Sequence, residues 1–168
     1  MTDRGRAALV NATIAAREAG LRQVSRFHLL SAVVAGGGVA TNVVFNLGGD
    51  LSGLPKVNAV RPGPLDTAHR LPLDPELLRV LARGKLIAEA WHARNLIAPM
   101  YGTDAVLLAL LEECPKLGDV LRVTRGAAFS EVCRLLGWDE QVALVRITDR
   151  EVEVALEEAR RESSSPGQ

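Results

Sequence analysis

Aromatic side chains are scarce in this chain, at 4% of 168 residues, with three Phe, two Trp and one Tyr. Single-stranded nucleic acid is held largely on stacked rings, so that mode of recognition is not expected. An excess of either charge is also missing. Lys plus Arg and Asp plus Glu number 20 each, and the arginines are scattered rather than clustered along the sequence, so no basic footprint for nucleic acid is expected. No apolar run reaches the ~18 residues of a membrane span, and no charged-then-apolar leader opens the sequence. The expected location is the cytoplasm, with no membrane partner.

Cysteine is nearly absent. Cys114 and Cys133 form no CxxC pair, and the three histidines are spread along the chain. A structural zinc site needs about four ligands at close spacing, so no metal is expected, and each Cys reads as a small buried hydrophobe, with a disulfide between the two as the alternative. A phosphate-binding loop is lacking too. The stretch "GGGVATN" has no lysine, and "ARGKLIAE" carries Gly84-Lys85 without the hydroxyl residue that must follow. Nucleotide hydrolysis drops out with it, and no cofactor is expected.

What is present is helix signal. Hydrophobic residues make up 48% and charged ones 24%, an ordinary balance for one soluble domain with a substantial core. Thr2 can cap a helix running to about Gly20, with an alanine stripe at Ala8, Ala12, Ala15, Ala16 and Ala19. Further helices are expected over about 25–35, ending at "GGG", and 39–47, ending at Gly48-Gly49. Asp50 caps a short fourth one limited by Pro55. Residues 56–72 hold three prolines and no helical stripe, and read as a linker. Asp74-Pro75 is a cap followed by proline at the first helical position. Leu77, Leu81, Gly84, Ala88 and Trp91 then place an apolar face along a helix to about Asn95. The next helix, "TDAVLLALLEE", has Thr103 as its expected N-cap. A helix at about 127–136 ends at Gly137, and Thr148-Asp149 opens an amphipathic helix over 149–161. Its apolar side is expected to fold back on the bundle, the alternative being a face presented to a partner, with 163–168 as a disordered tail. No alternating strand pattern of useful length occurs, so the fold class is all-α.

The chain also repeats itself. Ala16 falls on Ala93 at an offset of 77, carrying Arg17 onto Arg94, Ser25 onto Gly102 and Leu30 onto Leu107. After Glu113 the register returns at an offset of 89, where "VVFNLGGDL" meets "VCRLLGWDE" and Gly48 meets Gly137. The second copy thus holds about twelve extra residues near "CPKLGDVLRVTR". One copy cannot bury its apolar helix alone, so the two must pack together.

These copies, "FHLLSAVVAGGGVATNVVFNLGGDL" and "GTDAVLLALLEE" followed by "VCRLLGWD", resemble the Clp N-terminal domain, in which two such repeats precede the ATPase modules of Clp unfoldases. The likeness spans about residues 2–145. It implies an all-α bundle of two pseudo-symmetric four-helix repeats, about 2–55 and 73–145, plus the C-terminal helix. It implies docking of polypeptide substrates, adaptors or a Clp ATPase, here without an ATPase module attached, and hence an adaptor or regulator of Clp-dependent proteolysis. A small-molecule or cyclic-peptide antibiotic decoy is the alternative. In the family, a glutamate before the motif histidine of each repeat can form an acidic pocket for phosphoarginine. The matching positions here are Phe27 and Asp104, so only the second copy keeps a carboxylate. The motif histidine survives as His28 and is replaced by Ala105.

No catalytic residue is expected. His28 lacks a Ser, Cys or carboxylate partner by spacing and reads as bonding a neighbouring turn. Glu112 and Glu113 read as a solvated helix end, and Cys133 as buried. The candidate ligand- or peptide-binding residues are Phe27, His28, Tyr101, Thr103 and Asp104. Phe27 and Tyr101 suit either peptide docking or core packing; Asp104 suits either a basic partner or its own helix dipole.

Overall fold

The structure, a computed structural model, describes residues 1–57 and 71–164. Nine helices are present among them: α1 (Asp3–Glu18), α2 (Arg26–Ala35), α3 (Val39–Asn46), α4 (Pro75–Ala93), α5 (Thr103–Glu113), α6 (Pro115–Leu121), α7 (Arg125–Leu136), α8 (Glu140–Ala143) and α9 (Asp149–Ser164). No strand is described, only one isolated parallel bridge between Val24 and Leu73. Most of the expected linker, residues 58–70, lies outside the described residues, as do 165–168 of the expected tail. Ser163 and Ser164 belong to α9, which extends past Arg161.

The central element is α5. It touches α1, α2, α3, α4, α6 and α7, and every residue from Ala105 to Leu111 is buried. A helix that is apolar all round has no solvent face to offer, so it must be enclosed. Burying each of its leucines stabilises the fold by roughly 1.5–3 kcal/mol. Helix α2 has the same character: His28 to Val34 are all buried against α1, α3 and α5. The small-residue stripe of α1 is narrower than expected. Ala8, Ala12 and Ala16 are buried, whereas Ala19 lies past the helix end.

Caps set the boundaries. Thr2 Oγ1 accepts from Gly5 N, and Ser25 Oγ from His28 N. Asp74 accepts from Glu76 N, with Pro75 at the first helical position. Thr148 and Glu151 form a reciprocal capping box at α9, with Thr148 N donating to Glu151 Oε2 at 2.7 Å. Two expectations are corrected. Gly102, not Thr103, is the N-cap of α5; Thr103 is its first residue and lies buried. Asp50 caps no helix, only a turn in which Ser52 N donates to Asp50 Oδ1 at 3.0 Å. At the matching place in the second copy, Asp139 accepts from Gln141 N and Val142 N and opens α8. The difference has a local cause. Gly53 and Pro55 weaken the first copy's helix, and its Ile14 stands where Trp91 holds α8 through an Nε1 bond to Ala143 O at 2.8 Å. The first copy therefore has three helices and a turn, and the insertion adds α6 to the second.

Candidate functional site

Two clefts open at equivalent stations of the duplicated unit. The first, about 540 Å³, runs between the C-terminal half of α2 and residues 51–57; Val34, Ala35, Leu54, Pro55 and Val57 line it. The second, about 1010 Å³, lies between the end of α5, α6, the start of α7 and residues 144–147. The repeat offsets map Val34 and Ala35 onto Leu111 and Glu112. They map Pro55, Lys56 and Val57 onto Leu144, Val145 and Arg146. All five of the latter line the larger cleft. Each cleft is thus bounded by the tail of a central helix and by the segment that follows the Asp50 turn or its counterpart α8. The larger one gains volume from the inserted α6.

Its far wall is held in place by named bonds. Trp91 grips Ala143 O, and its ring meets Trp138 edge-on at 5.1 Å between centroids. Arg94 Nη1 donates to Leu144 O at 2.6 Å. Arg83, 3% exposed, donates to Ile147 O at 2.6 Å, to Asp149 Oδ1 at 2.7 Å, to Glu113 Oε1 at 2.7 Å and to Glu112 Oε1 at 3.1 Å. Burial works against its charge, but Glu113 first and then Glu112 and Asp149 hold its pKa above the ordinary arginine value. Arg79 adds a second bond to Glu113 at 3.2 Å. Glu112 and Glu113 are therefore not a solvated helix end: they anchor three buried or half-buried arginines, Arg79, Arg83 and Arg125, and through Arg83 they fasten the start of α9. Val152 completes the seam, fully buried where α9 packs along α4.

The five residues expected to bind ligand lie at the starts of α2 and α5. Phe27 is half-buried, with the Arg26 guanidinium 5.8 Å from its ring centre. His28 is buried, and its Nδ1 is 2.7 Å from Ser25 Oγ; burial lowers its pKa. The bond to a neighbouring turn is the one its position suggested, but the expectation that His28 lacks a Ser partner is corrected: Ser25, the N-cap three residues upstream, supplies it. Tyr101 is half-buried, accepts from Thr2 N through its carbonyl at 3.0 Å, and has its phenol pKa raised by burial. Its ring borders a smaller groove of about 290 Å³ shared with Met1, Lys85 and Met100. Thr103 is buried. Asp104 is half-buried; burial raises its pKa, opposed by the bond it accepts from Ala105 N at 2.8 Å. None of the five lines either of the two larger clefts. Both cysteines are free and buried, and burial pushes the Cys114 thiol up to about 11, so neither offers a thiolate near neutral pH.

The cleft residues were missed by sequence reasoning because four separate segments supply them. The available signal was the repeat register, together with the arginines of the insertion.

The described residues form an all-helical bundle with two open clefts. The model of the Clp repeat (R) N-terminal domain matches residues 1–123, and the chain belongs to that family. It is a family of Clp-related docking domains. No curated protein matches the sequence. Among solved structures, one from preliminary structural investigations of a malarial protein secretion system shares the fold, with TM-score 0.59 and 18% identity over 80% of this chain and 93% of that one. No described helix is long and apolar enough to cross a membrane.

Proposed function

We propose that this protein is a non-enzymatic polypeptide-binding module that works as an adaptor or regulator of Clp-dependent proteolysis in the cytoplasm, its partners being unfolded substrates, other adaptors or a Clp ATPase. The observation that carries the reading is the pair of clefts at matching stations of the two copies. Duplication of an open, largely apolar cleft offers two contacts to one extended chain, and linked contacts gain avidity without further surface. Phe27, Tyr101 and Asp104 supply a second contact region at the helix starts, with His28 and Thr103 supporting it from beneath.

Affinity capture tests the proposal. The immobilised protein is offered a purified Clp ATPase and, separately, a chemically unfolded polypeptide. Retention of either is expected, with loss on cleft blockade by Ser52→Trp together with Arg146→Trp. Retention of neither contradicts the proposal. A small-molecule decoy is the second reading, favoured by cleft volumes within reach of compact ligands. It predicts a raised melting temperature with cyclic peptides and no captured polypeptide.

A further inference from the structure

The two clefts differ in charge. Among the residues lining the smaller one, Lys56 is the single charged side chain. The larger one carries Arg122, Arg125 and Arg146 over an apolar floor that includes Leu111, Val123 and Val145. These guanidiniums are poorly neutralised. Arg146 is exposed and forms no ion pair among the described residues. Arg122 is 78% exposed, and its partner, Asp50, lies 4.0 Å away. Arg125 Nη2 is 3.4 Å from Glu112, but its Nε is buried with no acceptor.

The opposing carboxylates do not balance them. Glu112 is shared between Arg125 and the buried Arg83, which leaves exposed Asp119 as the one other acid in the wall. The start of α7, the positive end of a 12-residue helix, belongs to the same wall. We infer that the larger cleft selects acidic polypeptide segments, carboxylate side chains meeting Arg122, Arg125 and Arg146 while an intervening apolar residue sits on the Leu111–Val145 floor. The inference rests on the docking role proposed above and specifies its ligand. A zero net charge for the whole chain conceals this local surplus. Exposed guanidiniums act here as selective contacts: a carboxylate accepts two parallel bonds from the fork, whereas an amide accepts one and a cation is repelled.

The test uses three short fluorescent peptides of one length on the full chain, followed by anisotropy. One alternates Asp or Glu with Leu; its twins carry Asn or Gln, and Lys, in place of the acids. The acidic peptide is expected to bind best, and rising salt to weaken it. Arg146→Ser and Arg122→Ser each weaken it by roughly three- to fivefold, as a partly exposed charge pair would. Lys56→Ser, in the other cleft, leaves it unchanged, and melting curves confirm that all three variants fold. If the amide twin binds as tightly, the Lys twin binds better, or the arginine variants bind like wild type, the charge selection is wrong while the docking role stands. If none of the peptides binds while the Clp ATPase or the unfolded polypeptide is still captured, the acidic preference is wrong and the docking role stands; if nothing is captured either, both fall together.

Discussion

Arg83→Met removes one guanidinium and leaves the helix face apolar. Four bonds go with it, to Glu112, Glu113, Ile147 O and Asp149. The consequences for the partners differ. Asp149, with its side chain 80% exposed, returns to water at small cost. Glu113 is only 11% exposed and keeps Arg79 alone; Ile147 O loses its donor. Removing one member of a buried pair costs about 3–5 kcal/mol, and the partial solvation of Glu112 and Asp149 places this case near the lower end, about 3 kcal/mol. For a chain of this size that lowers the melting temperature by about 6–12 °C. Thermal and urea unfolding followed by circular dichroism measure the loss. Hydrogen exchange should localise it, with faster exchange along α9 than along α5, because Arg83 is the main bond between the bundle and the start of α9. The double variant Arg83→Met with Glu113→Gln should be more stable than Arg83→Met alone, since it no longer strands a half-buried carboxylate. A single variant within about 0.5 kcal/mol of wild type, with α9 protection unchanged, would refute the reasoning.

Three other outcomes follow from single sites. The pKa of His28 is lowered by burial from the ordinary 6.5, so its contribution to stability is full above that value and is lost as pH falls towards the folded-state pKa, where the unfolded chain takes up a proton first; the fall in melting temperature between about pH 7 and 5 should flatten in His28→Asn. At Gly118 an added Cβ would stand 2.9 Å from Val123 O, whereas at Gly126 it meets nothing within 4 Å. Gly118→Ala should therefore cost about 1–3 kcal/mol in urea unfolding, while Gly126→Ala is neutral or slightly stabilising. The cysteines should resist a thiol reagent in the native protein near neutral pH and react promptly in denaturant; fast native labelling of Cys114 would contradict its burial and its pKa of about 11.

Most helices were legible in the sequence because their ends carry chemistry that acts locally. Thr2, Asp74-Pro75, Gly137 and Thr148 each satisfy or stop a helix within a few residues, whatever surrounds them. The enclosure of α5 was legible from its leucines alone. Helix α6 was not: seven residues hold fewer than two full turns, too few for a periodic stripe, although Pro115 stands at its start. The turn at Asp50 was misread because the same Asp cap serves a turn or a helix, and the choice is made by Trp91 in one copy and by its absence in the other. Arg83 sits between Val80 and Ile87 on an apolar face, and its partners lie 29 to 66 residues away in sequence, beyond any local pattern. The clefts were hidden for the same reason.

The bridge between Val24 and Leu73 joins the entrances of the two copies. Val24 N donates to Pro72 O at 3.0 Å, Asp74 N donates to Val24 O at 3.3 Å, and Arg26 reaches across to Glu76. Together with the α5 seam, this clasp holds the halves side by side through contacts separate from the chain between Val57 and Leu71. Two separately expressed fragments, parted anywhere in that interval, should reassemble on mixing, which makes the interval a natural place to graft a reporter or a second domain.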